Sequence, residues 1–408
     1  MVKAARNPYV GPRPFEAQEA DLFFGREHEA NQLLALITAR PVVLLFSPSG
    51  AGKTSLLNTR ILPGLLQEGF QILPAARVGG MLPADVEEAE IANIYTFSTL
   101  SYWDQEHGSA HKLAEMRLVD FLEGLEHPLN DLGEPVPRLA IWDQFEELFS
   151  THLERWRDRE DFFSQLADAL EEDPLLSVVL SLREEYLGQL EVYAPLLPDR
   201  LRARVRLEPM KPPAAREALI QPLRSMDITF TLEAANRLIE DLLKIKVIHP
   251  DGKTVEVAGQ YVEPLQLQVV ARTLVDRLPA DCKEIGMQEI SSLGNPDQSL
   301  SNFYENIIRE VTQQVSVPEE NLREWFEHSL ITPAGTRSIV FRDIDKTAGL
   351  PNKAVDILEY SHIIRAEFRS GARWYELTHD RFIQPILTSN QLWRENFKPR
   401  RKRKLFGN

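Results

Sequence analysis

The chain has 408 residues, which is more than one ordinary hydrophobic core accommodates, so we expect two or three domains. Its net charge of -15 favours solubility and argues against nucleic-acid binding by the surface as a whole. A single cysteine excludes an intramolecular disulfide and a cysteine metal cluster, and no apolar run reaches the roughly 18 residues that a membrane-spanning helix needs. These properties predict a soluble, cytoplasmic protein.

A strand, a glycine-rich loop and a helix are predicted between residues 41 and 60. The apolar run 41–46 is typical of a buried parallel strand, and a helical pattern begins at Ser55. The loop 47–54 is Ser-Pro-Ser-Gly-Ala-Gly-Lys-Thr, a P-loop pattern with Ser47 in place of the usual first glycine. We expect Lys53 to neutralise the β- and γ-phosphates and Thr54 to bind Mg²⁺. The predicted cofactor-binding residues of this segment are Ser49, Gly50, Ala51, Gly52, Lys53, Thr54 and Ser55.

A second strand, 138–142, ends at Asp143. A carboxylate at the carboxyl end of a parallel strand lies beside the P-loop, where it can bind Mg²⁺ directly or through water. Glu146 and Glu147 follow, and either could orient or deprotonate the attacking water. The alternative is a solvated first turn of a helix, where the helix dipole favours glutamate.

A third strand, 177–182, ends at Arg183. A cation at this point would face the γ-phosphate and report its presence, whereas the alternative is a structural ion pair with Glu184 or Glu185. A further strand is predicted at 70–78. The alternation of strands and helices up to residue 205 predicts an α/β domain, a parallel sheet with helices on both faces. Its predicted catalytic residues are Lys53, Asp143, Glu146, Glu147 and Arg183.

Three segments resemble one known family. Asn7-Pro-Tyr-Val-Gly-Pro-Arg-Pro-Phe15, Asp21-Leu-Phe-Phe-Gly-Arg-Glu-His-Glu29 and Asp143-Gln-Phe-Glu-Glu-Leu-Phe149 closely resemble the novel STAND NTPases of bacteria. These are signal-transduction ATPases related to NACHT and apoptosome-type switches. The resemblance implies a P-loop NTPase domain (ASCE/STAND) over 1–205, ATP or ADP with Mg²⁺ as cofactors, and Arg183 as the first sensor. It also implies nucleotide contacts from Tyr9, Val10, Phe24, Gly25 and Arg26.

A helical domain over 206–315 and a winged-helix domain over 316–395 are expected downstream. Apolar periodicity from Leu232 to Leu243 predicts a helix, 249–257 predicts a hairpin with an Asp-Gly turn, and alternating strands around Ser370 suit a wing. The resemblance implies that Pro264 lies in a nucleotide-contact loop and that His379 reaches ADP. A structural core histidine is the alternative for His379.

The basic tail, 396–408, contains six cations between Lys398 and Lys404. It predicts a disordered end or linker, or alternatively a contact for phosphate, acidic lipid or nucleic acid. Taken together, the sequence predicts a slow ATPase that works as an ATP/ADP-driven switch. The resemblance implies a homo-oligomer when active, an effector or sensor protein partner, and a role in bacterial signalling or defence. The alternative is an AAA-like ATPase that loads on or remodels nucleic acid through the winged helix and the basic tail.

Overall fold

The computed structural model describes residues 7–79, 90–104, 110–248, 254–293, 296–333, 335, 337–369 and 372–405. The chain folds into two compact units. The first comprises Phe15–Glu208 and Phe368–Ala372, and the second comprises Met1–Pro14, Pro209–Glu367 and Arg373–Asn408. The N-terminal segment 7–14 thus belongs to the second unit, although the sequence placed it in a domain 1–205. The predicted boundaries at 315 and 395 lie within the second unit and remain predictions.

A five-stranded sheet forms the centre of the first unit, and every neighbouring pair of its strands is parallel. Its order is β2-β3-β4-β1-β5, so β4 lies between β1 and β3. The polar residues that follow β1, β3 and β4 therefore meet at one edge of the sheet. The strands are β1 Val42–Ser47, β2 Gln71–Ile72, β3 Arg138–Trp142, β4 Leu176–Arg183 and β5 Arg204–Arg206.

Helices cover both faces of this sheet. Val42 and Leu44 pack into an apolar core with residues of three helices, Ile94–Trp103, Leu118–Glu123 and Asp158–Glu172, while Val43 and Leu45 are just as buried on the opposite face. The predicted parallel α/β sheet is confirmed. The helices are α1 Glu27–Ala39, α2 Lys53–Leu56, α3 Leu62–Gln67, α4 Ile94–Trp103, α5 Ala110–Ala114, α6 Leu118–Glu123, α7 Glu147–Ser150, α8 Asp158–Glu172 and α9 Leu187–Leu190.

The strand predicted at 70–78 is shorter than expected. Only Gln71–Ile72 forms a strand, and Ala76 makes an isolated bridge with Trp142 further on. Pro74 lies between them and has no N–H group to donate to a ladder, so the pairing is interrupted.

The second unit is mainly helical. Its helices are α10 Pro212–Ile220, α11 Leu232–Leu243, α12 Pro264–Asp276, α13 Met287–Leu293, α14 Pro296–Gln314, α15 Glu319–Ser329, α16 Asn352–Tyr360 and α17 Ile383–Leu405. Its strands are β6 Thr229–Phe230, β7 Lys244–Ile248, β8 Thr254–Ala258, β9 Glu284–Ile285, β10 Val340–Phe341, β11 Lys346–Thr347, β12 Leu350–Pro351, β13 Ile364–Arg369 and β14 Ala372–Leu377. Strands β10, β14 and β13 form a three-stranded sheet, and the winged-helix assignment stays a prediction.

Several local predictions in this unit can be compared with the structure. The helix from Leu232 to Leu243 is confirmed, although Leu232 itself is exposed. An antiparallel hairpin is present, but its first strand, β7, spans Lys244–Ile248 and so begins earlier than the predicted range 249–257. The predicted Asp-Gly turn lies outside the described residues, as does the predicted wing tip at Ser370. Helix α17 continues to Leu405, so the cationic run is part of a helix, and the roles predicted for the basic tail stay predictions. In the described part of the chain, none of the helices combines the length and apolarity that crossing a membrane requires.

Candidate nucleotide-binding site

The loop between β1 and α2 has the backbone of a phosphate-binding turn. Gly50 and Gly52 have φ angles of 81° and 98°, in the left-handed region that favours glycine. Gly52 is the N-cap of α2, which begins at Lys53. Such a turn allows successive N–H groups to face one anion, as the sequence predicts for Ser49 to Thr54.

The amine of Lys53 is held at the base of this loop. Its Nζ donates to Ser47 Oγ at 3.0 Å, so the serine that replaces the usual glycine supplies an acceptor for the lysine. Burial lowers the pKa of Lys53, and the nearby carboxylates of Glu146 and Asp143 oppose that shift. A half-buried ammonium group of this kind favours an anionic ligand that balances its charge.

Thr54 and Asp143 meet although they are 89 positions apart. Thr54 Oγ1 donates to Asp143 Oδ2 at 2.7 Å, and the other carboxylate oxygen, Oδ1, accepts from Ser181 Oγ at 2.8 Å and from the Gln144 N–H at 3.0 Å. Mg²⁺ is usually bound through one or two protein oxygens together with phosphates and water. The Thr54–Asp143 pair fits that ion, which would supply positive charge to the phosphates.

The described residues do not form a metal site whose ligands all come from the protein. Within the described ranges, no group of three or more His, Cys, Asp or Glu residues is arranged to hold an ion. A site made of one hydroxyl and one carboxylate therefore relies on nucleotide oxygens to complete the coordination shell.

Glu146 and Arg183 form a nearly buried ion pair. Arg183 Nε lies 3.1 Å from Glu146 Oε1, and the Arg183 N–H donates to Glu146 Oε2 at 3.2 Å. Arg183 is the last residue of β4, so its main chain and side chain both hold this carboxylate. Glu146 and Arg183 both act electrostatically on the amine of Lys53.

The carboxylate of Glu147 has different partners from that of Glu146. Arg77 donates to both of its carboxylate oxygens, with Nε at 3.1 Å from Oε2, and the Gly79 N–H donates to Oε2 at 3.3 Å. A Cβ at Gly79 would lie 2.9 Å from Thr151, so this close approach requires glycine. Glu147 is the first residue of α7, and its buried side chain is bonded to the segment after β2.

Arg26 lies against the protein backbone. Its Nη2 donates to the carbonyl oxygens of Ala51 at 3.0 Å and Glu208 at 2.8 Å, while Nη1 donates to Glu29 at 2.8 Å. Burial lowers the pKa of Arg26, and the bond to Glu29 opposes this. The guanidinium therefore braces the P-loop through Ala51. Of its predicted neighbours, Gly25 is buried with a φ of 80° and Phe24 is half-buried.

Ser55 also forms a hydrogen bond within the protein. Its Oγ accepts the Phe15 N–H at 3.1 Å, and Asn58 Nδ2 donates to the Phe15 carbonyl at 3.1 Å. A π-helical turn, Leu57–Ile61, follows α2 directly. Such turns are rare and occur frequently near functional sites.

The other predicted nucleotide contacts belong to the second unit. Tyr9 is fully buried and its hydroxyl donates to the Leu219 carbonyl, and this burial raises its pKa. The Val10 N–H donates to Gln268 Oε1 at 3.1 Å, and Arg272 donates to the Val10 carbonyl at 2.9 Å. The segment containing Tyr9 and Val10 is thereby fixed to α12.

Pro264 and His379 lie close to a shared carboxylate. Pro264 is the first residue of α12, directly after Glu263. His379 Nδ1 accepts the Arg381 N–H at 3.1 Å, and His379 Nε2 lies 3.5 Å from Glu263 Oε2, which Arg381 Nε also approaches at 3.3 Å. His379 is thus held by protein groups on both ring nitrogens.

Ser181 and Arg77 are site residues that the sequence analysis missed. Ser181 is a hydroxyl that interrupts the apolar run from Val178 to Leu182, two residues before Arg183, and this interruption was a usable signal. Arg77 has no comparable signal, because its partner Glu147 is 70 positions away.

Comparison with known proteins identifies a family for this chain. The profile of the family described as Novel STAND NTPase 1 matches residues 8–380. The chain belongs to this family. It is therefore a P-loop NTPase, and the resemblance stated from the sequence is confirmed. A search of curated proteins finds no match for this STAND NTPase.

Solved structures with a similar fold include three archaeal proteins. The Walker-type ATPase paby2304 of Pyrococcus abyssi is 16% identical, covers 92% of this chain and 98% of its own, and has a TM-score of 0.47. The Aeropyrum pernix ORC2 protein, in ADPNP-ADP complexes, is 14% identical, with coverages of 96% and 98% and a TM-score of 0.45. The Aeropyrum pernix ORC1 protein, in complex with DNA, is 14% identical, with coverages of 93% and 95% and a TM-score of 0.42. With TM-scores below 0.5, these likenesses support no statement about activity.

Proposed function

We propose that this NTPase is an ATP/ADP-driven molecular switch with slow hydrolysis. The observation that carries the proposal is the hydrogen bond between Thr54 and Asp143, near the half-buried amine of Lys53. This bond joins two segments that are far apart in the chain, and in the proposal these two residues would serve as the protein ligands of a Mg²⁺–nucleotide complex. The preference for ATP and ADP rests on the family.

Each polar group around the loop then has a role. Lys53 neutralises the β- and γ-phosphates, and Thr54 and Asp143 hold Mg²⁺. Ser49, Gly50, Ala51 and Gly52 supply backbone N–H groups to the phosphates. Mg²⁺, when bound, would offset the negative charge on the phosphate oxygens while the γ-phosphoryl group is transferred to water.

Glu146 is the better candidate for the residue that orients water. It lies near Lys53 and at the end of β4, whereas Glu147 is occupied by Arg77 and the Gly79 N–H. A general base has to be within reach of the water that it activates. Glu147 accordingly has a structural role in this proposal.

The ion pair between Glu146 and Arg183 supports slow, state-dependent hydrolysis. While Arg183 holds Glu146, that carboxylate has fewer free lone pairs for a water molecule. A γ-phosphate competes for the Arg183 guanidinium and thereby frees Glu146 Oε1, while Oε2 keeps its bond from the Arg183 main-chain N–H. Hydrolysis is then coupled to phosphate sensing, and the two nucleotides favour different conformations because they bind them with different affinities.

The remaining parts of the proposal follow from the family. Tyr9, Val10, Phe24, Pro264 and His379 contribute to ADP retention. The activated form is a homo-oligomer in the cytoplasm that acts with an effector or sensor protein in bacterial signalling or defence.

The test is to denature the purified protein and identify the released nucleotide by chromatography. Near-stoichiometric ADP in the wild type, and none in Lys53→Ala, is the expected result. Unchanged nucleotide content in Lys53→Ala would overturn the site assignment. An empty wild type that hydrolyses ATP rapidly, and faster with DNA, would replace the switch with a nucleic-acid-loading ATPase.

A further inference from the structure

Of the two serines in strand β4, Ser181 is the more deeply buried. Ser181 is completely inaccessible to solvent and lies between Leu180 and Leu182, which are equally buried. A buried hydroxyl is costly unless it is hydrogen-bonded. Ser181 meets that requirement by donating to Oδ1 of Asp143, the residue that follows the neighbouring strand β3, at 2.8 Å.

Ser181 also holds the turn that follows Asp143. Its carbonyl oxygen accepts the Phe145 N–H at 2.8 Å. Between these two contact points lies Gln144, whose φ of 57° is in the left-handed region. One residue of β4 thus anchors both ends of the Asp143–Phe145 turn, by its side chain at one end and its main chain at the other.

The two oxygens of the Asp143 carboxylate have different tasks in consequence. Oδ1 is engaged by Ser181 and by the Gln144 N–H at 3.0 Å, and Oδ2 is left facing Thr54 at 2.7 Å. Gln144 adjoins Asp143 in sequence, so its bond moves with the aspartate. The bond from Ser181 is different, because it fixes the carboxylate relative to the central strand of the sheet.

We propose that Ser181 is a positioning residue that sets the affinity of the site for the Mg²⁺–nucleotide complex by orienting Asp143. This rests on the proposed nucleotide site. Groups that orient a metal ligand typically account for about 10–100-fold in metal affinity or activity. Loss of the hydroxyl should therefore weaken Mg²⁺-dependent binding by about 10-fold and leave metal-free binding nearly unchanged.

The strand provides a matched control. Ser177 is also on β4, on the same face because it is four residues away, and its Oγ donates to the Ile37 carbonyl at 3.2 Å. Ser177→Ala therefore removes one serine hydrogen bond from the same strand at the end distant from Asp143. Ser181→Cys retains the approximate volume of serine but is a weak donor, and Ser181→Thr keeps a hydroxyl.

The experiment measures the Kd of a fluorescent ADP analogue with Mg²⁺ and with EDTA. We expect Ser181→Ala and Ser181→Cys to raise the Kd about 10-fold in Mg²⁺ and less than about 2-fold in EDTA, with Ser177→Ala unaffected and Ser181→Thr restored toward wild type. If Ser181→Ala does not fold, Ser181→Cys decides the question.

The inference and the function on which it rests fail in different ways. A wild type that binds no nucleotide overturns the proposed function. A wild type with Mg²⁺-dependent binding, together with a Ser181→Cys variant that behaves like Ser177→Ala, overturns only the role of Ser181. Equal weakening in Mg²⁺ and EDTA would also contradict it, because that result indicates a general packing defect.

Discussion

Adjacent glutamates with different environments allow a sharp test of the catalytic assignment. Glu146→Gln and Glu147→Gln are the same substitution at neighbouring positions, and each removes a buried carboxylate charge from an arginine partner. Each variant is thus the matched control of the other. Only Glu146 lies beside Lys53 and Arg183 at the end of β4.

The two substitutions should differ in their effect on the rate of ATP turnover and resemble each other in their effect on stability. General-base assistance contributes about 10²–10⁴-fold in rate, so Glu146→Gln should lose ATP turnover by that factor and retain ATP binding. Glu147→Gln weakens the bonds from Arg77 and from the Gly79 N–H, at a cost of about 1–3 kcal/mol in the free energy of unfolding. Because Glu146 is also paired, its variant should lose a similar amount of stability.

Turnover per folded molecule separates the two roles. Steady-state ATP hydrolysis, an ATP-analogue Kd and a denaturant unfolding curve are measured for both variants and the wild type. Glu147→Gln should keep turnover within about 3-fold, well below the loss expected for a general base. A normal rate in Glu146→Gln with a collapsed rate in Glu147→Gln would reverse the assignment, and equal losses in both would show that turnover reports packing alone.

Three further outcomes are expected. Because burial lowers the pKa of Lys53, its amine loses its charge at a lower pH than an ordinary lysine does, and nucleotide affinity should therefore fall as the pH rises. At alkaline pH, nucleotide binding should be accompanied by uptake of a proton by this amine. Calorimetry in buffers of different ionisation enthalpy measures the uptake, and its absence would contradict the prediction. Arg26→Ala leaves the carbonyls of Ala51 and Glu208 without their donor and should destabilise the protein by about 2–4 kcal/mol in urea unfolding, whereas an unchanged midpoint would exclude the bracing role. His379→Ala should release ADP faster in a chase with excess unlabelled nucleotide, and a wild-type release rate would reduce His379 to a structural residue.

The polar groups at the three strand ends could be predicted because local sequence encodes them. Short apolar runs followed by Ser47, Asp143 and Arg183 indicate buried strands, and buried parallel strands place their carboxyl ends at one edge of a sheet. The structure has strands at all three places, at Val42–Ser47, Arg138–Trp142 and Leu176–Arg183. The loop conformation at Gly50 and Gly52 could likewise be predicted from the sequence, because few other residues tolerate the positive φ angles of this loop.

The roles of individual side chains depended on contacts that are distant in sequence. Glu146 and Glu147 are the same residue type at neighbouring positions in the sequence. In the structure Glu146 pairs with Arg183, 37 positions away, whereas Glu147 pairs with Arg77, 70 positions away. Arg26 was predicted to contact the nucleotide, and in the structure its guanidinium donates to two backbone carbonyls and to Glu29.

The sequence by itself therefore determined the class of site, and the tertiary structure decided how its parts are held. The order of strands, with β4 between β1 and β3, brings Ser181 to Asp143 and Thr54 to the same carboxylate. Strand order is set by the packing of whole elements around a shared core, and no local spacing encodes it. A hydroxyl in an apolar strand becomes interpretable only when its neighbour on the next strand is known.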